Sequence, residues 1–144
     1  RGYLNPETRV RRIATADGAV RHVFTFKRRL PGGESVEIET GIDARDFALL
    51  WEGCRERLAK RRFKLTEGAI RWDVDFFKAA DGSTYFALAE AEMPEGMAAP
   101  DRIPELLADH VVCAVERGDA RFGSFGLADE VHARELAREI GAEA

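Results

Sequence analysis

Cysteine is scarce: Cys54 and Cys113 are the only two in 144 residues. They form no C-x-x-C pair, so neither a zinc site nor a disulfide framework is indicated. Both fall in segments with helical spacing and are expected to be buried thiols of a cytoplasmic protein. No apolar run approaches the roughly 20 residues that a membrane-spanning helix needs, and no signal-peptide pattern is expected. The three histidines, His22, His110 and His132, are scattered, and H-E-x-x-H does not occur. The glycine-bearing run "ERGDARFGSFG" lacks the G-K-[ST] end of a phosphate-binding P-loop. No serine-histidine or cysteine-histidine nucleophile pattern stands out. A basic excess is missing too: 22 Lys+Arg stand against 26 Asp+Glu, a net charge of -4, which argues against a nucleic-acid partner.

Apolar side chains make up 45% of the chain, enough for one domain with a real core, residues 1–144. Charge is unevenly spread along it. Residues 1–72 hold 16 Lys+Arg and 10 Asp+Glu, a balance of +6, whereas residues 73–144 hold 6 and 16, a balance of -10. A fold interleaving early and late strands would set a cationic lining against an anionic one.

The runs "TRVRRIA", "VRHVFTFKRRL" and "VEIETGI" read as antiparallel strands, with turns at Asp17-Gly18 and in "LPGGES". "IDARDFALLWEGCRERLAKRRF" then changes period. Phe47, Leu50, Trp51, Cys54 and Leu58 fall at helical spacing behind an Asp43 N-cap, and the helix has a basic end carrying Lys60 and Arg62. "RFKLTEGAIRWDVDFFKAADGSTYFALAEAEM" returns to three strands, turning at Glu67-Gly68 and Asp81-Gly82. "PELLADHVVCAVERG" and "EVHARELAREIG" read as helices. The order predicts an α+β fold, an antiparallel sheet or barrel with helices packed on it.

Residues two apart on a strand share a face. By that rule Arg9 and Arg11, Lys27, Glu37 and Glu39, Lys60 and Arg62 near the helix exit, Asp73 and Asp75, and Glu90 and Glu92 project to one side. Val10, Phe24, Phe26, Val36, Ile38, Trp72, Val74, Phe76, Ala89 and Ala91 project to the other. A face turned to water accounts for any single doublet. Repetition in nearly every strand favours a ligand that needs both signs, with the apolar face covered by helices. Paired carboxylates suit Mg2+ or Mn2+, and arginine forks with lysine ammoniums suit phosphate oxygens. Together they fit a metal-chelated chain of phosphates.

In order along the chain, "RGYL" at 1–4, "RVR" at 9–11, "TFK" at 25–27, "VEIE" at 36–39, "KRRF" at 60–63, "WDVDFF" at 72–77 and "LAEAE" at 88–92 occur, followed by the tail "DARFGSFGLAD". This series resembles the CYTH family, the triphosphate tunnel metalloenzymes, across about 130 residues. The resemblance implies an antiparallel eight-stranded β-barrel, a tunnel with a charged lumen and helices packed outside. It implies that Arg9, Arg11, Lys27, Lys60 and Arg62 bind a triphosphate-containing small molecule. It implies that Glu37, Glu39, Asp75, Glu90 and Glu92 hold Mg2+ or Mn2+, and that Lys27, Arg62 and Glu37 serve catalysis. Asp73 and Glu39 are alternatively ion-pair partners of the basic lining, and Arg12 replaces Arg11 if a bulge shifts the register. The family's E-x-E-x-K first strand would lie before Arg1: either it belongs to a segment upstream of Arg1, which the absence of an initial methionine favours, or the domain lacks that strand and with it part of the metal site. The expected activity is metal-dependent triphosphate hydrolysis by a monomer or homodimer. A class IV type adenylate cyclase, a thiamine triphosphatase and a non-catalytic polyphosphate- or nucleotide-binding module are the alternatives.

Overall fold

The computed structural model describes residues 1–116 and 118–141. The architecture is α+β and mostly antiparallel, with eight strands and three helices among those residues: β1 (Gly2–Asn5), β2 (Thr8–Ala14), β3 (Val20–Arg29), β4 (Ser35–Ile42), α1 (Ala44–Glu52), β5 (Glu56–Arg57), β6 (Ala59–Glu67), β7 (Ile70–Lys78), β8 (Thr84–Glu92), α2 (Glu105–Ala108) and α3 (Glu130–Glu139). Two compact units divide the chain, Arg1–Leu58 and Ala59–Ala144. The first carries a five-stranded sheet in the order β4-β3-β2-β1-β5, the second a three-stranded sheet, β6-β7-β8. Among the described residues, no helix is long and apolar enough to cross a membrane.

Local chemistry sets the hairpins. At the β2–β3 turn Gly18 N donates to Thr15 O (2.9 Å) and Thr15 N to Ala19 O (3.0 Å), while Asp17 Oδ1 accepts from Ala19 N at 3.1 Å. Gly18 has φ +86°, the left-handed residue that completes a three-residue hairpin loop. The β7–β8 turn repeats the design with Asp81 and Gly82. The β6–β7 connection is tighter: Glu67 pairs with Ile70, and Gly68 at φ +60° occupies the position that a two-residue loop reserves for glycine.

In the first unit α1 lies on one face of the sheet. Its cap is the expected one, with Asp43 Oδ1 accepting from Asp46 N at 2.7 Å. Phe47 stacks between His22 of β3 and Trp51, at ring separations of 4.7 and 5.5 Å. Gly2 makes room for this packing, because a Cβ there would sit 2.6 Å from Cys54 Sγ and 2.8 Å from the Trp51 ring. Val10 is fully buried. The cover is partial: Val36 and Ile38 on β4 are exposed, Ile38 at 57%.

The second unit packs α3 on β8. Asp129 caps that helix, accepting from Val131 N (2.9 Å) and His132 N (3.2 Å), and the helix buries Ala133 and Leu136. Phe77, Tyr85, Phe86, Phe122 and Leu127 form the adjoining core, and the Tyr85 hydroxyl donates to Leu127 O at 2.8 Å.

Three sequence-based expectations need correction. The helix expected to run from Asp43 through Arg62 stops at Glu52, because the backbone beyond it pairs with the first strand: Arg55 N donates to Tyr3 O at 3.0 Å and Leu58 N to Arg1 O at 2.9 Å. Lys60 and Arg62 consequently stand on a strand. The "PELLADHVVCAVERG" helix is confined to Glu105–Ala108, with Val111, Val112 and Val115 exposed beyond it. Their β-branched side chains are weak helix formers. The part of that expectation at position 117 lies outside the described residues. Cys54 is buried as expected, but Cys113, on the non-helical stretch, is exposed.

Candidate functional site

Residues directly opposite one another on neighbouring strands share a face. In the five-stranded sheet Tyr3 stands opposite Arg9, Arg9 opposite Thr25, and Thr25 opposite Glu39; beside that row Lys27 stands opposite Glu37. Arg11 pairs with Val23 on the same face. The register of β2 with β3 is continuous from Thr8 to Ala14, so no bulge intervenes. Arg12, opposite His22, belongs to the α1 side of the sheet, and Arg11 keeps the position on the charged face.

Ion pairs link this face. Arg9 Nη2 is 3.7 Å from Glu37 Oε1, and Lys27 Nζ is 3.2 Å from Glu37 Oε2. Arg11 Nη2 pairs with Glu39 Oε2 and donates to Thr25 Oγ1 at 3.2 Å, while Thr25 Oγ1 donates to Glu39 Oε2 at 3.3 Å. The Arg9 and Arg11 side chains are only 20% and 18% exposed. Among the described residues, Arg9 Nε and Arg11 Nε are buried polar atoms with no hydrogen-bond partner. Burial is the largest influence on both guanidiniums and lowers their pKa. For Arg9 repulsion from Arg1 adds to it, and for Arg11 the attraction of Glu39 opposes it without prevailing. A guanidinium stays protonated throughout the physiological range. The shift therefore marks two cations whose lost hydration is incompletely replaced.

The three-stranded sheet has a different balance. Arg62 stands opposite Asp75, and Asp73 stands opposite both Lys64 and Glu90. Arg62 Nε donates to Asp75 Oδ1 at 2.7 Å and Arg62 Nη2 to Asp75 Oδ2 at 2.6 Å. Arg62 Nη1 donates to Asp73 Oδ2, and Glu90 Oε2 lies 3.5 Å from Arg62 Nη2. Lys60 Nζ donates to Asp75 Oδ2 and, at 3.4 Å, contacts Ser124 Oγ, and it lies 5.4 Å from the centre of the Phe77 ring. The hydrogen bonds to Asp75 raise the Arg62 pKa, outweighing the effect of burial. Burial pushes the Asp75 carboxyl up, but the hydrogen bonds from Arg62 and Lys60, with their charges, hold it below its ordinary value. Glu92 pairs with Arg71 on the same face, at an exposed position.

The sequence-expected site residues thus fall into two groups. Arg9, Arg11, Lys27, Glu37 and Glu39 share the charged face of the first unit, and Lys60, Arg62, Asp75, Glu90 and Glu92 that of the second. Two further contributors carried little signal: Thr25, fully buried between Arg11 and Glu39, and Ser124, whose hydroxyl meets Lys60. The place of Thr25 in the "TFK" run, two residues before Lys27, was its sequence cue. A groove of about 530 Å³ lined by Leu65, Glu67, Ile103, Pro104 and Leu106, bridged by the 2.6 Å Arg102–Glu67 ion pair, lies off the charged row. Leu65 pairs with Trp72 on the opposite face.

Among the described residues, no three His, Cys, Asp or Glu side chains gather as a metal site. Each expected carboxylate ligand faces a cation: Glu37 faces Lys27 and Arg9, Glu39 faces Arg11, Asp75 faces Lys60 and Arg62, Glu90 faces Arg62, and Glu92 faces Arg71. In this arrangement they do not fit a resident divalent ion, which neighbouring ammonium and guanidinium groups would repel. The chain matches no family model, no curated protein and no solved structure.

Proposed function

We propose that this chain hydrolyses inorganic triphosphate, or another short phosphate chain presented as its Mg2+ or Mn2+ chelate, inside the charged eight-stranded tunnel that its motifs imply. The observation that carries the reading is the pair of half-buried arginines, Arg9 and Arg11, each with an unpartnered Nε. A phosphate oxygen supplies a further charge-assisted acceptor to guanidiniums whose Nε atoms have none and whose Nη2 atoms are met by one glutamate each.

Arg9, Arg11 and Lys27 take phosphate oxygens from one charged face, and Lys60 and Arg62 take them from the other. Glu37 and Glu39 hold the arginine arms before the anion arrives and yield them to it. In phosphoryl transfer most of the catalytic task is positioning and neutralising charge on the transferring group, which buried guanidiniums perform at little reorganisation cost. The divalent ion belongs to the substrate, where it offsets charge between phosphate oxygens.

A second reading, a binding module without catalysis, is favoured by the carboxylates' engagement with cations instead of with one another. Phosphate release from tripolyphosphate with Mg2+ or Mn2+, measured alongside thermal shift, separates the two. Release together with a stabilisation of about 2.7 kcal/mol at a ligand concentration 100 times Kd is the expected result. Stabilisation without release leaves the module, and the absence of both removes the phosphate reading.

A further inference from the structure

Resting on the proposed function, we infer that Asp75 is a positioning residue that fixes Lys60 and Arg62 for a phosphate chain, and that it is not a ligand of the divalent ion. The resemblance placed Asp75 among the metal ligands; its surroundings assign it differently.

The Asp75 side chain is 1% exposed. Its Oδ1 accepts from Arg62 Nε (2.7 Å), and its Oδ2 accepts from Arg62 Nη2 (2.6 Å) and from Lys60 Nζ. A carboxylate offers about four lone-pair positions, and cations fill three of them here. A divalent ion joining Asp75 would have to stand beside an ammonium and a guanidinium, whose charges repel it, or displace both from their hydrogen bonds.

Geometry also shows what the contacts accomplish. The two parallel bonds from Arg62 define the plane of its guanidinium, and the third donor, Nη1, is turned to Asp73. Lys60, 10% exposed, is held between Asp75, Ser124 and the Phe77 ring. A flexible lysine and a long arginine are thereby reduced to single orientations before substrate arrives, which lowers the entropy lost on binding. Glu90 differs: its side chain is 55% exposed and reaches Arg62 only at 3.5 Å.

Two measurements test the assignment. The first compares Asp75→Asn with the unmodified protein, using calorimetric titration with tripolyphosphate without metal, Mn2+ binding by electron paramagnetic resonance, and the Arg62 Nε–H signal by NMR. The expected result is tripolyphosphate affinity at least about tenfold weaker, since each 1.4 kcal/mol of lost interaction is tenfold, with Mn2+ binding unchanged and the Arg62 signal altered. Mn2+ binding lost at unchanged tripolyphosphate affinity overturns the inference, as does a variant that binds both like the parent. Should the variant fail to fold, the unmodified protein answers through the Asp75 side-chain carboxyl carbon resonance during Mg2+ titration. A resonance that stays in place supports positioning, and one that moves and saturates with Mg2+ overturns it. Failure of the unmodified protein to bind tripolyphosphate removes the proposed function and, with it, the positioning role. Failure confined to the Asp75→Asn comparison removes the role of Asp75 alone.

Discussion

The two charged faces use the same residue types and reach opposite electrostatic states. On β2, β3 and β4, burial outweighs the attraction of Glu37 and Glu39, and the Arg9 and Arg11 guanidiniums are left under-compensated. On β6, β7 and β8, Arg62 meets Asp73, Asp75 and Glu90 together and is held more firmly in its charged form. Strand register explains the contrast. Arg9 stands opposite a threonine, with its glutamates one strand further away, whereas Arg62 stands directly opposite an aspartate. The cations of the first face are incompletely compensated, whereas those of the second are held in place by carboxylates of their own sheet.

The contrast makes predictions of descending size. Asp75→Asn strikes the second face hardest, because removing one member of a buried charge cluster leaves its partners uncompensated. A loss of about 3–5 kcal/mol in unfolding free energy is expected, measured by chemical denaturation. The effect depends on pH with a definite sign. Asp75 is held below the ordinary carboxylate value of about 3.9, so its contribution is complete above about pH 4 and is lost as pH falls through its depressed folded value. The gap between parent and variant should narrow steadily as pH falls below about 4, and a gap that does not narrow with acidification would show that the carboxylate charge is not its source.

Next in size is the pair Arg9→Ala and Arg11→Ala, which removes the incompletely compensated guanidiniums of the first face. Tripolyphosphate turnover should fall by about 10²- to 10³-fold, by analogy with loss of a well-aimed oxyanion donor. Unchanged kinetics would remove both residues from the site. Smallest is Glu92→Gln, whose partner Arg71 is 70% exposed. Exposed pairs contribute about 0–1 kcal/mol, so the thermal midpoint should barely move, and a large drop would show that this end of β8 is not a solvated rim.

The two-residue alternation was legible in the sequence because it depends only on the period of a strand, but which face is covered was not: fully buried Phe77 shares the face of Asp75, whereas Phe63 on the opposite face is 49% exposed. The turns at Gly18, Gly68 and Gly82 were legible from the same local chemistry. The length of α1 was not: residues 54–62 have helical spacing, yet Arg55 and Leu58 donate their amides to the first strand, and that pairing has no local signature. Nor was the role of Asp75. An aspartate two residues from another aspartate suggests a metal, and only the cross-strand register discloses that arginine is its neighbour. Thr25 and Ser124 were hidden for a related reason, since a hydroxyl acquires importance only from the charges placed beside it.

The two-residue loop at Gly68–Ala69 acts as a ruler for chemistry several residues away. Because side chains alternate strictly, one residue inserted there would present Trp72 and Val74 where Asp73 and Asp75 now stand, provided the ladder with β6 re-formed one step out of phase. Lys60 and Arg62 would then confront indole and aliphatic carbon, and the cluster would vanish without any charged residue having been altered.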